Sequence, residues 1–182
     1  MSEFVLPGFD ILHVARPDKR GRGEAVLFRE GLVLNIIQST KDGIFTQFEH
    51  MELSVKAGKT QIRLCIINLP TPSGQNRFKA TIYLDKWSNY LNRLTTIHQE
   101  VIITGDLNFY FDDPTDINVR RFTGQLDAYG VVQHVTGATY IHGHTLGVII
   151  IRERSSIVKG SSSIFDPCLY DSKGKDSGDH FA

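Results

Sequence analysis

The sequence predicts an α+β domain of packed β-sheets with helices on their outer faces, and three observations predict it. First, Val101-Ile102-Ile103-Thr104 is a largely β-branched run that reads as a strand buried on both faces. Second, it runs into Gly105-Asp106-Leu107-Asn108. The glycine is expected to end the strand and to present a carboxylate and an amide at its carboxyl end, where ligands of layered α/β folds tend to bind. Third, the elements around it follow the order β-rich, helix, strand, helix, strands, which suits sheets packed face to face with helices outside.

Along the chain, residues 1–15 carry apolar side chains without a clear period. Arg16-Pro17-Asp18-Lys19-Arg20-Gly21-Arg22-Gly23 is a loop. Its cations can meet phosphates, although a solvated surface loop is the simpler account. Ala25 to Phe28 and Leu32 to Ile37 read as two strands joined hairpin-fashion by Arg29-Glu30-Gly31. Met51, Leu53 and Val55 alternate with Glu52, Ser54 and Lys56, the pattern of a half-exposed strand. A turn at Ala57-Gly58-Lys59 leads into a strand from Gln61 to Asn68, whose Leu64-Cys65-Ile66-Ile67 is apolar throughout. Two prolines make Leu69-Pro70-Thr71-Pro72-Ser73-Gly74 a loop.

Leu84, Trp87, Leu91, Leu94 and Ile97 fall at helical spacing and place an amphipathic helix over about 78–98. Trp87 belongs to its buried stripe rather than to a base-stacking surface. After the central strand, Phe122, Leu126 and Tyr129 mark a short second helix with Gly130 at its C′ position. Val131-Val132 and Leu146 to Ile151 are further strands, and the tail from Ser155 is rich in serine and glycine.

At 182 residues with 41% hydrophobic content, the chain is one domain, 1–182, with enough length for a real core. Its formal net charge of zero provides no global field toward nucleic acid or membrane, so any nucleic-acid contact must be local. Cys65 and Cys168 lie far apart without a CxxC, and Cys65 sits in an apolar strand as a small core residue. A reducing compartment follows as the default. The opening Met1-Ser2-Glu3-Phe4 is not a secretory leader, and no run reaches membrane-span length. The expected location is intracellular, cytoplasmic or nuclear, with no membrane partner and no small-molecule cofactor.

Gly105-Asp106-Leu107-Asn108-Phe109-Tyr110-Phe111-Asp112-Asp113-Pro114 resembles the GDxN motif of the endonuclease/exonuclease/phosphatase superfamily, the DNase I-like fold. Gln133-His134-Val135-Thr136-Gly137, His142-Gly143-His144-Thr145-Leu146 and Gly178-Asp179-His180-Phe181 follow in the order found in its non-LTR retrotransposon branch. The resemblance runs from about Pro7 to Ala182. It implies a four-layer α/β sandwich, here lacking the first strands and truncated at the N-terminus, with an exposed edge and apolar surface where those strands would pack.

The implied activity is Mg²⁺-dependent phosphodiester cleavage, that of the DNA endonuclease of a reverse-transcriptase-type protein. Asp106 matches the aspartate associated with activating water and Asn108 the asparagine that helps hold phosphate and metal. Asp179 matches the aspartate near the metal and His180 the histidine on the scissile phosphate. Mg²⁺ is thus the implied cofactor, with Asp106 and Asp179 as its ligands, and DNA the possible partner.

Other parts of the motif set do not carry over. The metal-binding glutamate and the first asparagine fall upstream of the matching region, where only Glu3 stands. The tyrosine-arginine-proline run aligns with Asn68-Leu69-Pro70, the aspartate of HGHTLD with Gly147, and the serine of SDH with Gly178. Catalysis is therefore expected to be weak or absent, and a non-catalytic nucleic-acid-binding module or a decayed retroelement fragment are the rival readings. His142 and His144 stand two apart, which with Asp179 or His180 allows a transition-metal site. A loop whose histidines hydrogen-bond backbone or border a phosphate groove is the simpler account.

Overall fold

The computed structural model describes residues 6–15, 23–43, 47–69, 79–157, 162–166, 178 and 180–181. Eight strands and two helices occur among them: β1 Phe9–Ala15, β2 Gly23–Arg29, β3 Val33–Ser39, β4 Glu49–Ala57, β5 Thr60–Asn68, α1 Ala80–Thr95, β6 Glu100–Asp106, α2 Ile117–Ala128, β7 Val131–Gln133 and β8 Gly147–Arg152. A 3₁₀ turn over Thr40–Asp42 links β3 to β4. The cationic 16–22 loop, most of the 69–74 loop, Cys168 and Asp179 lie outside the described residues.

β3 to β8 form one sheet in the order β3-β4-β5-β6-β8-β7, while β1 and β2 pair antiparallel in a second, two-stranded sheet. Among the described strands only β5 and β6 run parallel, and α1 supplies the crossover between them. β6 is therefore interior, as its apolar run predicts. Val101 and Ile103 face the helices, joining Trp87, Leu91, Leu94, Phe122 and Leu126 in the larger core. Met51 and Leu53 face the other way, where Leu12, Val14 and Val26 of the small sheet cover them. The outer face of that small sheet is apolar too. Ile11 and Leu27 stand opposite one another in register and are 52% and 50% exposed.

Several expectations change in the folded chain. The turn at Arg29-Glu30-Gly31 does not close a hairpin: β2 pairs with β1 and β3 with β4, so the turn carries the chain from one sheet to the other. β1 is a strand that no period announced, because its outward Ile11 is as apolar as its inward Leu12 and Val14. Glu52 is not on a solvent face. It is fully buried, since α1 covers that side of β4 and brings Arg93 onto its carboxylate, with Arg63 Nη1 at 3.1 Å. Gly105 does not end β6, which runs on to Asp106. At φ 141° it lies where a Cβ would come 1.8 Å from the Ile67 carbonyl oxygen, so only glycine lets β6 pair there. The helix expected over 78–98 is Ala80–Thr95, with Arg152 Nη2 on the carbonyls of Leu94 in its last turn and of Ile97 just beyond it, and Nη1 on the Gln99 carbonyl at 2.6 Å.

Candidate functional site

β6 delivers Asp106 to its carboxyl end, between Asn68 of β5 and Gly147 of β8. The chain then turns sharply. Asp106 Oδ1 accepts the Asn108 N–H at 2.9 Å, and Asn108 takes φ 50°, a conformation that asparagine tolerates better than most residues. The Asn108 side chain donates Nδ2 to the Leu69 carbonyl at 2.6 Å, and Leu69 N–H returns a bond to the Asp106 carbonyl at 2.8 Å. The turns that follow β5 and β6 are thus laced together, which fixes where the Asp106 carboxylate points.

The second half of the site arrives through Thr139. Its buried hydroxyl accepts the Leu146 and Gly147 N–H groups at 2.9 and 2.8 Å, pinning the start of β8. Its own N–H donates to the His144 carbonyl at 3.0 Å, and its carbonyl accepts Phe181 N–H at 2.8 Å. Tyr140 forms a β-bridge with His180, and their rings lie 5.3 Å apart. The C-terminal segment is thereby drawn against the end of β6, with His180 Nε2 3.7 Å from Asp106 Oδ2. Both side chains remain open to solvent, 41% and 29% exposed. The structure thus brings Asp106, Asn108 and His180 to one place, whereas Asp179 lies outside the described residues.

Beside this pair stands an arrangement of which the sequence singled out only His144. Asp112 accepts the Thr145 N–H at 2.7 Å and faces His144 Nδ1 at 2.9 Å, and the Tyr110 ring stacks on the His144 imidazole with centroids 3.8 Å apart. Partial desolvation works against the Asp112 carboxylate, but the bonds from Thr145 and His144 hold it below the usual carboxylate range. The distance of 32 residues between Asp112 and His144 explains why spacing gave no signal. His142 instead meets the Tyr140 ring edge-on, at 4.9 Å. His142 and His144 thus meet different aromatic rings, and the described residues contain no group of three His, Cys, Asp or Glu able to hold a metal ion.

Chemically, a carboxylate and an imidazole 3.7 Å apart at a solvent-open strand end can take up a proton on one side and contact an anionic oxygen on the other. For a resident Mg²⁺ the donor set is short. Asp106 has one oxygen engaged by Asn108, and Gly147, directly opposite it, contributes no side chain. The described residues do not fit a tightly held ion.

The fold is the DNase I-like one of endonuclease/exonuclease/phosphatase proteins, of whose four layers the described residues show three: two helices, the six-stranded sheet and the small sheet packed on it. It is similar to the endonuclease domain of TRAS1, a telomere-specific non-LTR retrotransposon, with a TM-score of 0.63 at 14% identity, covering 97% of this chain and 78% of that one. It is similar also to D. rerio TDP2 complexed with a single-strand DNA product, with a TM-score of 0.64 at 12% identity over 96% and 74% of the two chains. The catalytic domain of human Nocturnin gives a TM-score of 0.54 at 17% identity over 80% of this chain and 61% of that one. No protein-family profile and no curated protein sequence matches the chain. Among the described residues no helix is long and apolar enough to cross a membrane.

Proposed function

We propose that the domain engages a phosphodiester of DNA at the Asp106–His180 face and that its cleavage activity is weak. The observation that carries this reading is the 3.7 Å approach of His180 Nε2 to Asp106 Oδ2 at the end of the interior strand, in a fold shared with a retrotransposon endonuclease domain and with a TDP2 bound to DNA product. In the proposed step, Asp106 takes the proton of a water whose oxygen bonds to phosphorus while one P–O ester bond breaks, the leaving alkoxide takes a proton from solvent, and His180 hydrogen-bonds a phosphoryl oxygen throughout. Asn108 holds the turn that aims Asp106. Asp179, beside His180 in sequence, is the natural second carboxylate for Mg²⁺, and the weakness of the activity follows from how few oxygen donors join it.

The experiment is nicking of supercoiled plasmid with Mg²⁺ or EDTA, for the parent chain and Asp106→Asn. Nicking is expected to be slight, Mg²⁺-dependent and lost in Asp106→Asn. Robust nicking that Asp106→Asn leaves untouched would refute the site. A second reading, a non-catalytic nucleic-acid-binding module, is favoured by Gly147, which places no carboxylate beside Asp106. Salt-dependent DNA binding with no nicking at any Mg²⁺ concentration would select it.

A further inference from the structure

Phe109, Tyr110 and Phe111 follow the Asp106 turn, and the fold treats them differently. Phe109 and Phe111 pack on Phe122 with ring centroids at 6.1 and 5.1 Å, while Tyr110 between them points outward and is 47% exposed. Its ring is nonetheless held. It lies nearly parallel to the His144 imidazole, with centroids 3.8 Å apart and planes 11° apart. That imidazole is fixed in turn by Asp112, which faces its Nδ1 at 2.9 Å and is itself fastened to the Thr145 N–H. One face of Tyr110 is covered by His144, while the side chain as a whole stays open to solvent.

The location is equally defined. Leu107 N–H to the Leu146 carbonyl and Phe111 N–H to the Thr145 carbonyl carry the β6–β8 partnership past Asp106 and Gly147. Tyr110 therefore lies along the same rim. His144 is joined to the other side of the site as well, since its carbonyl accepts the N–H of Tyr140, the residue that bridges to His180.

We propose that Tyr110, backed by His144, is a stacking platform for an unpaired nucleobase of the strand whose phosphate lies at Asp106 and His180. This rests on the phosphodiester reading and adds how a neighbouring nucleoside is held. The chemistry favours a base over a phosphate here. Asp112, held at Nδ1 of the His144 imidazole that backs the ring, disfavours an anion there, whereas a base presents an uncharged flat face that any aromatic ring can stack. Because His144 and Asp112 already hold the ring's partner in place, less side-chain freedom has to be lost on contact than for an unsupported tyrosine.

The test is fluorescence anisotropy, in EDTA, with a labelled single-stranded DNA and the same strand carrying central abasic residues. The parent chain should bind the complete strand roughly tenfold more tightly, the scale of one base stacked on an aromatic side chain. Tyr110→Ala and His144→Ala should bring the complete strand down to the affinity of the abasic one, while Tyr110→Trp keeps the preference. The emission of Trp87 reports that Tyr110→Ala and His144→Ala are folded, and far-UV circular dichroism reports it for Tyr110→Trp. Equal binding of both strands by the parent chain, or a preference that survives Tyr110→Ala, would overturn the platform and leave the phosphodiester reading standing. Failure of the parent chain to bind either strand would sink both.

Discussion

Removing the Glu52 carboxylate tests the fold where the sequence is most misleading. Glu52 is fully buried between β4 and α1 and faces two guanidinium groups, Arg63 Nη1 at 3.1 Å and the fork of Arg93, whose Nη1 lies at 3.2 Å. Breaking a buried ion pair by deleting one partner costs roughly 3–5 kcal/mol, because a charge is left behind in low dielectric. Here the stranded groups are not sealed in. The side chains of Arg63 and Arg93 are 16% and 36% exposed, so water recovers part of the loss. Glu52→Ala should therefore destabilise the domain by about 2–3 kcal/mol, lowering the melting temperature by about 5–10 °C for a chain of this size. The assay is urea unfolding followed by the emission of Trp87, the single tryptophan and fully buried. Arg93→Ala alone and in combination closes a double-mutant cycle. A loss below about 1 kcal/mol, or strict additivity with Arg93→Ala, would refute the claim that α1 is clamped to β4 through this group.

Gly147→Asp should restore a carboxylate opposite Asp106. The nearest atoms a Cβ there would meet are those of Thr139, its Oγ1 at 3.4 Å, ordinary contact, so the change is expected to fold with a stability shift within about 1 kcal/mol. It should also gain a Mg²⁺-dependent rise in melting temperature, and an unchanged Mg²⁺ response would withdraw the alignment of Gly147 with the HGHTLD aspartate. Gly105→Ala should abolish the folded state or cost more than about 3 kcal/mol, since its Cβ would strike the Ile67 carbonyl; circular dichroism decides it. His50 supplies a pH signature. Burial, with Arg93 assisting and Glu52 and Asp42 opposing, keeps its pKa below 6.5, so the unfolded chain takes a proton first as pH falls. Its contribution to stability should be complete above about pH 6.5 and lost progressively below it, and His50→Phe should flatten that slope in unfolding curves measured between about pH 7 and pH 5.

The sequence by itself determined the interior strand with Asp106 at its end, the Trp87 stripe of α1, the short α2 closed by Gly130 and the order of the landmarks that carry the resemblance. These features are local: a run of β-branched residues, a 3.6-residue period and a glycine at C′ keep their meaning whatever packs around them. What only the tertiary structure decided depends on which surface covers which. β1 was illegible because both its faces are apolar, one against Met51 and Leu53 and the other in water. Glu52 looked solvated because alternation reports polarity and not the helix that arrives 41 residues later to pair with it. The Arg29–Gly31 turn looked like a hairpin because two strands and three residues specify a reversal but not the sheet that each strand joins. The Asp112–His144–Tyr110 stack was hidden for the same reason, and the approach of His180 to Asp106 was legible only through the resemblance carried by the ordered landmarks. Each joins side chains that chain topology alone makes neighbours, and sequence spacing holds no information about contacts closed through an interior strand.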